Sequence, residues 1–365
     1  MISLRTLPPF TRLDRYIARE MLVPLGIGVF AILLMLIGNL LFTYAPWFFN
    51  YGVPLTAVLQ MVLYYTPYLL VLSLPVGAAV GTALTVNRLT RDSEITIMRM
   101  AGVSLRRIFA PMLLIGALLS GVNFALNEYL VPPSMQQFNK LRNRMFLLAP
   151  VPNLTSNAVI RTQNYMIGVG IAQQQGDAVL LEDVLILERR EQEGWLVVKA
   201  PRGKYQGGVW ELYEPTVHYY QPDGKVADVQ RATRLVINLQ VALQDFFAAP
   251  TPEEQTMAQL GEQIQRNRQM GLDTRTLEVS YHLKAAVPVA CLVLALCAPV
   301  LSFLLARAGG FVGVLLAIVL VFVFWNTLLL FQILGNHGVL PPLVAAWATN
   351  LLFGVGGLTL LRRLE

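Results

Sequence analysis

Six apolar runs constrain this chain more than any other feature: residues 22–42, 58–86, 108–130, 285–305, 311–334 and 339–361. At about 1.5 Å of rise per residue, each is long enough to cross a hydrocarbon core of about 30 Å as an α-helix. In lipid, only helices and closed barrels satisfy their own backbone polar groups, and runs of this length are helical in kind. A polytopic α-helical membrane protein with six transmembrane helices is therefore expected. The composition agrees: 55% of the 365 residues are hydrophobic and 14% charged, against about 25% charged in ordinary soluble domains. The first run is too long for a signal-peptide core and no small-residue cleavage site follows it, so it should stay as an anchor.

Between the third and fourth runs lie roughly 150 residues of ordinary polar composition, enough for a folded domain and too many for a loop. The expected layout is a first bundle of three spans over residues 1–131, an inserted domain over 132–280, and a second bundle of three over 281–365. The formal charge of +6 raises the question of a nucleic-acid partner. From 132 to 280, however, 15 basic residues face 16 acidic ones, so the inserted domain is near neutral. The excess sits beside the spans: Arg5, Arg12, Arg15 and Arg19 before the first, and Arg88, Arg91, Arg99, Arg106 and Arg107 between the second and third. Arg307, Arg362 and Arg363 complete the set, and all fall on one side if the spans alternate. The positive-inside rule then puts both termini in the cytoplasm and the inserted domain outside. No nucleic-acid partner is indicated.

Within the insertion, strand-like stretches at 165–172, 179–188, 194–199, 203–206, 209–213, 216–221 and 234–239 alternate with Gly, Asp and Pro turn signals. Many short strands with frequent turns favour an all-β sandwich or jelly roll. Residues 252–270 then read as a helix, with Pro252, Glu253 and Glu254 in its first turn and Gly271 as its stop. Pro46, Pro54, Pro67 and Pro75 should kink the outer loop and second span. Cys291 and Cys297 lie six residues apart in the fourth span, on different helix faces, and should not pair.

Catalytic and nucleotide-binding patterns are missing. His218, His282 and His337 are scattered, neither HExxH nor GxSxG occurs, and no metal site is suggested. Gly203-Lys204 and Gly224-Lys225 lack the rest of a phosphate-binding loop, so the chain should not itself hydrolyse ATP. The spans carry amides, Asn39, Gln60, Asn123, Asn326 and Gln332, which read first as interhelical hydrogen-bond formers. Glu128 falls near the outer end of the third span, where water should reach it.

Two cytoplasmic segments stand out. Residues 13–21, LDRYIAREM, have the basic and aromatic residues of an interfacial lead-in. Residues 87–107, NRLTRDSEITIMRMAGVSLRR, contain a short helix that Asp92 or Ser93 can cap, with Glu94 at its start and Gly102 at its end. Ile95, Met98 and Gly102 share a face flanked by Arg91 and Arg99. Such a helix suits docking in a groove of a cytoplasmic motor, and equally suits lying on anionic lipid.

The segments LDRYIARE, DSEITIMRMAGVS and MAQLGEQIQRNRQMGLDTRTLEVSYHLKAAVP resemble, in type and order, those of the LptF and LptG permeases of lipopolysaccharide export, the YjgP/YjgQ family. That resemblance covers essentially the whole chain. It implies a periplasmic β-jelly-roll between two three-span bundles, a paired LptF- or LptG-like chain, and an LptB-like ATPase dimer holding ATP and Mg, with no cofactor in this chain. An LptC/LptA-like periplasmic bridge would receive the lipid. The coupling helix would lie near 92–104, using Arg91, Asp92, Glu94, Ile95, Met98, Arg99 and Gly102, and the first and fifth spans would form lateral gates. Asn39 stands where such permeases often place a basic residue toward lipid phosphates, and ARAGG at 306–310 shortens the family's Pro-Arg-rich turn. Asn39, Tyr44, Asn326 and Gln332 are the candidate residues of the lipid path. An envelope-lipid enzyme or a structural anchor for an adaptor domain are the competing readings.

Overall fold

The computed structural model describes residues 12–51, 54–148, 158–161, 165–175, 178–190, 194–206, 209–220, 226–238, 250–269, 273–305 and 310–364. The chain divides into two compact units, one made of residues 1–43, 62–137 and 252–365, the other of 44–61 and 138–251.

The first unit is a helical bundle. Its elements are α1 (Arg12–Tyr51, ending in the second unit), α2 (Leu55–Arg91), α3 (Glu94–Met100) and α4 (Leu105–Ala125). A π-helical turn (Leu126–Leu130) and α5 (Val131–Leu148, passing into the second unit at Phe138) continue α4; after the insertion come α6 (Met257–Gln269), α7 (Arg275–Leu305), α8 (Gly310–Asn336) and α9 (Pro342–Arg363). Six helical stretches among the described residues are long and apolar enough to span a membrane; four contain the expected runs, and the last two, Leu315–Asn336 and Pro342–Arg363, overlap theirs.

Small residues and prolines decide how these helices meet. On α2, a Cβ added at Gly81 would lie 2.8 Å from the Leu25 Cβ and 2.9 Å from its Cα, so α1 and α2 cross with backbones nearly touching. Gly116 of α4 is under Ala295 of α7 in the same way, at 2.6 Å. Each proline removes the N–H that would bond the carbonyl four residues earlier, and the freed carbonyl needs another donor. Pro75 frees Val71, and the Asn123 side-chain amide donates to the Val71 carbonyl at 3.1 Å. Pro288 frees Lys284, and the Asn127 amide donates to the Lys284 carbonyl at 3.1 Å. Ser120 accepts from the Leu292 N–H at 3.2 Å. Gly116, Ser120, Asn123 and Asn127 recur every three or four residues, so α4 and the π turn that continues it carry one small and polar seam along α7 and the proline turn of α2. Interhelical bonding thus accounts for Asn123, as its residue type suggests.

The return helix starts later than expected. Pro252–Glu254 is a separate 3₁₀ turn, and α6 begins at Met257 behind a capping box. The Gln259 N–H donates to the Thr256 hydroxyl at 3.3 Å, while the Gln259 side chain accepts the Thr256 N–H at 2.9 Å.

The second unit contains one antiparallel sheet: β1 (Ala158–Arg161), β2 (Tyr165–Gln175), β3 (Ala178–Arg190), β4 (Gly194–Gln206), β5 (Val209–Tyr213), β6 (Thr216–Tyr220), β7 (Val226–Arg231) and β8 (Arg234–Asn238). The order is β1-β2-β3-β4-β5-β8, and β6 joins β4 and β7. The expected strands at 194–199 and 203–206 are one strand. Its first half pairs with β6 and its second with β5, so the sheet forks around Pro201, which has no N–H to donate. Across the sheet the register skips Pro201, Asp183 and Gly170, and Asp183 takes φ 52°. Gly170 is required there, because a Cβ would lie 2.9 Å from that of Asp183. The three irregular positions form a bend line, with Trp210, Leu212, Leu181, Val184, Ile186, Val198, Ala200 and Val217 buried together on one face. The described strands therefore make a forked, curled sheet; a two-sheet jelly roll goes beyond what they display.

Candidate functional site

The short helix expected after the second span is α3. Of the two capping candidates, Asp92 and Ser93, Ser93 takes the N-cap position, at φ 61° and without a side-chain cap hydrogen bond. The other end closes as a Schellman turn: the Gly102 N–H donates to the Arg99 carbonyl at 2.9 Å and the Val103 N–H to the Met98 carbonyl at 3.0 Å. Gly102 is there at φ 85°, which a β-carbon would strain.

Ile95 is fully buried in one cluster with Ile17, Met21, Leu89, Leu105, Ile108, Phe109 and Leu361, and half-buried Met98 packs against it. These two side chains thus seat α3 on the bundle. The apolar groups left outside are Ile97, 59% exposed, and Met100, 77% exposed, with Arg91 and Arg99 exposed beside them. The face available to a partner is therefore centred on Ile97 and Met100, one step around the helix from the Ile95–Met98 ridge. Between α3 and the start of α4 lies an open cleft of about 490 Å³ lined by Arg99, Gly102, Val103, Ser104, Leu105 and Arg106.

The two segments expected on the cytoplasmic side, separate in the sequence, meet here. The Tyr16 hydroxyl donates to the Glu94 carboxylate, at 2.9 and 3.1 Å to its two oxygens. Buried Asp14 accepts from Arg107 at 2.7 Å. Glu20 pairs with Arg88, which also approaches Asp92 at 3.5 Å, and Arg91 lies 3.6 Å from Asp92. Asp14, Ile17 and Met21 point inward at spacings of three and four. The lead-in is thus a brace across the ends of α2, α3 and α4, beyond the interfacial role its composition suggests. The legible hint was Asp14, an acid on the apolar stripe, where a buried carboxylate requires a partner.

The candidate path residues are dispersed. Asn39 and Asn326 are exposed on α1 and α8; the Asn39 carbonyl accepts from Thr43 at 2.9 Å, and the Asn326 amide donates to Phe322 of its own helix at 2.8 Å. Gln332 is half-buried. Tyr44 is edge-on to Phe138 with ring centres 6.0 Å apart, and the Arg142 guanidinium lies 6.0 Å from the Phe138 ring. The shortened turn at 306–309 lies outside the described residues.

Two charged groups differ from expectation. Lys284, overlooked because it borders the fourth apolar run, is buried inside α7, 7% exposed. Glu128 is not left to water: its side chain is 15% exposed, it accepts the Met257 N–H at 2.9 Å, and Lys284 lies 4.0 Å away.

Six membrane-length helices, a braced short helix between the second and third, and a β-sheet insertion define a multi-pass transmembrane permease subunit. Residues 15–363 match the family model described as lipopolysaccharide export system permease LptF/LptG, and the chain belongs to that family. It is thus a permease component of a lipopolysaccharide transport system, as the motifs suggested. Among curated proteins, none matches.

Proposed function

We propose that this chain is the lipid-extracting permease half of an ATP-driven exporter, with α3 as the helix on which a separate LptB-like ATPase dimer docks. The observation that carries this is the two-sidedness of α3: Ile95 and the Tyr16–Glu94 bond hold one side, while Ile97 and Met100 remain exposed on the other. A partner groove that buries Ile97 and Met100 gains apolar contact, and the braces pass its displacement to α1, α2 and α4. ATP and Mg belong to the ATPase. The arginines flanking the spans support a cytoplasmic location for both termini and a periplasmic one for the β-unit, whose curled sheet is read as the family's jelly roll.

A paired LptF- or LptG-like chain would close the lipid cavity against α1 and α8, whose outward faces are apolar. Asn39, Tyr44, Asn326 and Gln332 are its candidate polar contacts, and an LptC/LptA-like bridge would take the lipid onward.

Truncating Ile97 and Met100 to Ala tests the docking. Burial of each exposed side chain contributes about 1–2 kcal/mol, so each truncation should weaken ATPase association about tenfold. Neither contributes to the α3 seat, so thermal stability should hold. Unchanged association with the ATPase, measured on purified complexes, together with lost binding to anionic vesicles would reassign α3 to the lipid surface.

A further inference from the structure

We propose that Lys284 and Glu128 are positioning residues that clamp together two of the places where the chain passes between its units, and that this clamp is needed to convert ATP-driven movement into lipid delivery. The second half rests on the exporter reading above; the first does not. The chain leaves the helical unit after Gln137 and re-enters it at Pro252. Both crossings are tied inside the helical unit. The Glu128 carboxylate accepts the Met257 N–H at 2.9 and 3.1 Å, and the Gln136 amide donates to the Glu254 carbonyl at 3.0 Å. Met257 is the first residue of α6, and its N–H is an orphan donor that the Thr256–Gln259 capping box does not use. Glu128 therefore acts as a cap supplied from another helix, with its negative charge at the positive end of α6.

Lys284 fixes the element that presents Glu128. In the π turn the Val131 N–H reaches back five residues to the Leu126 carbonyl. The same pattern would pair the Asn127 carbonyl with residue 132, which is proline and has no N–H. The Lys284 ammonium donates to that carbonyl at 3.1 Å, while Asn127 in return donates to the Lys284 carbonyl freed by Pro288. Two proline-made vacancies on two helices are thus filled by one reciprocal pair. The ammonium that completes it lies 4.0 Å from Glu128 and balances its charge away from water. The π turn, the cap on α6 and the charge balance stand or fall with Lys284. A lysine serving only as a lipid-facing anchor would extend toward water; this one is 7% exposed.

The test uses the full chain in its ATPase complex, in lipopolysaccharide-loaded proteoliposomes, with Lys284→Met, Lys284→Arg and the double variant Lys284→Met/Glu128→Gln. Lys284→Met should accelerate amide exchange at Met257 about tenfold, because the cap loosens locally. It should also lower lipid released per ATP hydrolysed about fivefold or more, with Lys284→Arg restoring both. The double variant removes the unbalanced carboxylate and should regain the thermal stability lost in Lys284→Met while remaining uncoupled. Recovery of coupling along with stability would reduce the pair to a structural role and overturn the proposal, as would unchanged exchange at Met257 in Lys284→Met. Accelerated exchange in a complex whose wild-type form releases no lipid would sustain the clamp and overturn the exporter reading.

Discussion

Removing the Asn123 amide should destabilise this protein only while Pro75 is present. Pro75 leaves the Val71 carbonyl without its helical donor, and Asn123 supplies one from α4 at 3.1 Å. An orphaned buried carbonyl costs about 1–3 kcal/mol, although interhelical bonds in membranes average nearer 0.6 and reach about 1.7. Asn123 has its own cost, because its Oδ1 is buried without a partner among the described residues. Asn123→Leu abolishes both, so the net loss should be about 1 kcal/mol. In a Pro75→Ala background the N–H at position 75 returns and can bond Val71 directly. There, Asn123→Leu removes the orphaned Oδ1 together with the weak donation to the Cys291 Sγ at 3.6 Å, and should be close to neutral. The four proteins of the cycle, unfolded reversibly in detergent, should give a coupling energy of about 1 kcal/mol, with the cost of Asn123→Leu confined to the background that retains Pro75. An equal cost of Asn123→Leu in both backgrounds would refute the claim that the amide substitutes for the proline's missing donor.

Gly81→Ala should lower thermal stability by about 1–3 kcal/mol through overpacking against Leu25. Gly38→Ala, where a Cβ meets nothing within 4 Å, should leave it unchanged or raise it by up to about 1 kcal/mol. In the β-unit, the hydrogen bond from Arg234 holds the Glu211 carboxyl below its usual range. A depressed carboxyl contributes stability above its unfolded-state pKa and loses it as pH falls through the folded value. Amide exchange across β5 and β8 should therefore rise on acidification, after correction for intrinsic rates, and Arg234→Ala should flatten that dependence.

Much of the architecture was legible because it depends on period and composition. Each membrane helix announces itself by apolar length, and α3 by Glu94 at its start and the glycine that stops it. Several strands were legible from turn chemistry, whereas β1 and β7 were not: four and six residues long, they are held by pairing with β2 and β6. Likewise, nothing local shows that 194–206 is one strand whose two halves take different partners.

The candidate site divides along the same line. Ile95, Met98 and Gly102 could be placed on one helix face from spacing alone, but which face meets the bundle depends on Ile17, Phe109 and Leu361, far away in the chain. Glu94 with Tyr16, Asp14 with Arg107 and Lys284 with Glu128 are pairs 78, 93 and 156 residues apart. A side chain's local sequence sets its charge, reach and direction along its own helix. Whether that charge is braced, balanced or left for a partner is decided by what other helices bring to the same place. The sequence by itself determined six membrane helices, a β insertion and a short helix between the second and third spans. Only the tertiary structure decided that Ile97 and Met100, rather than Ile95, are left exposed, and that a buried lysine and Asn127 fill, for each other, the carbonyl vacancies left by prolines on two helices.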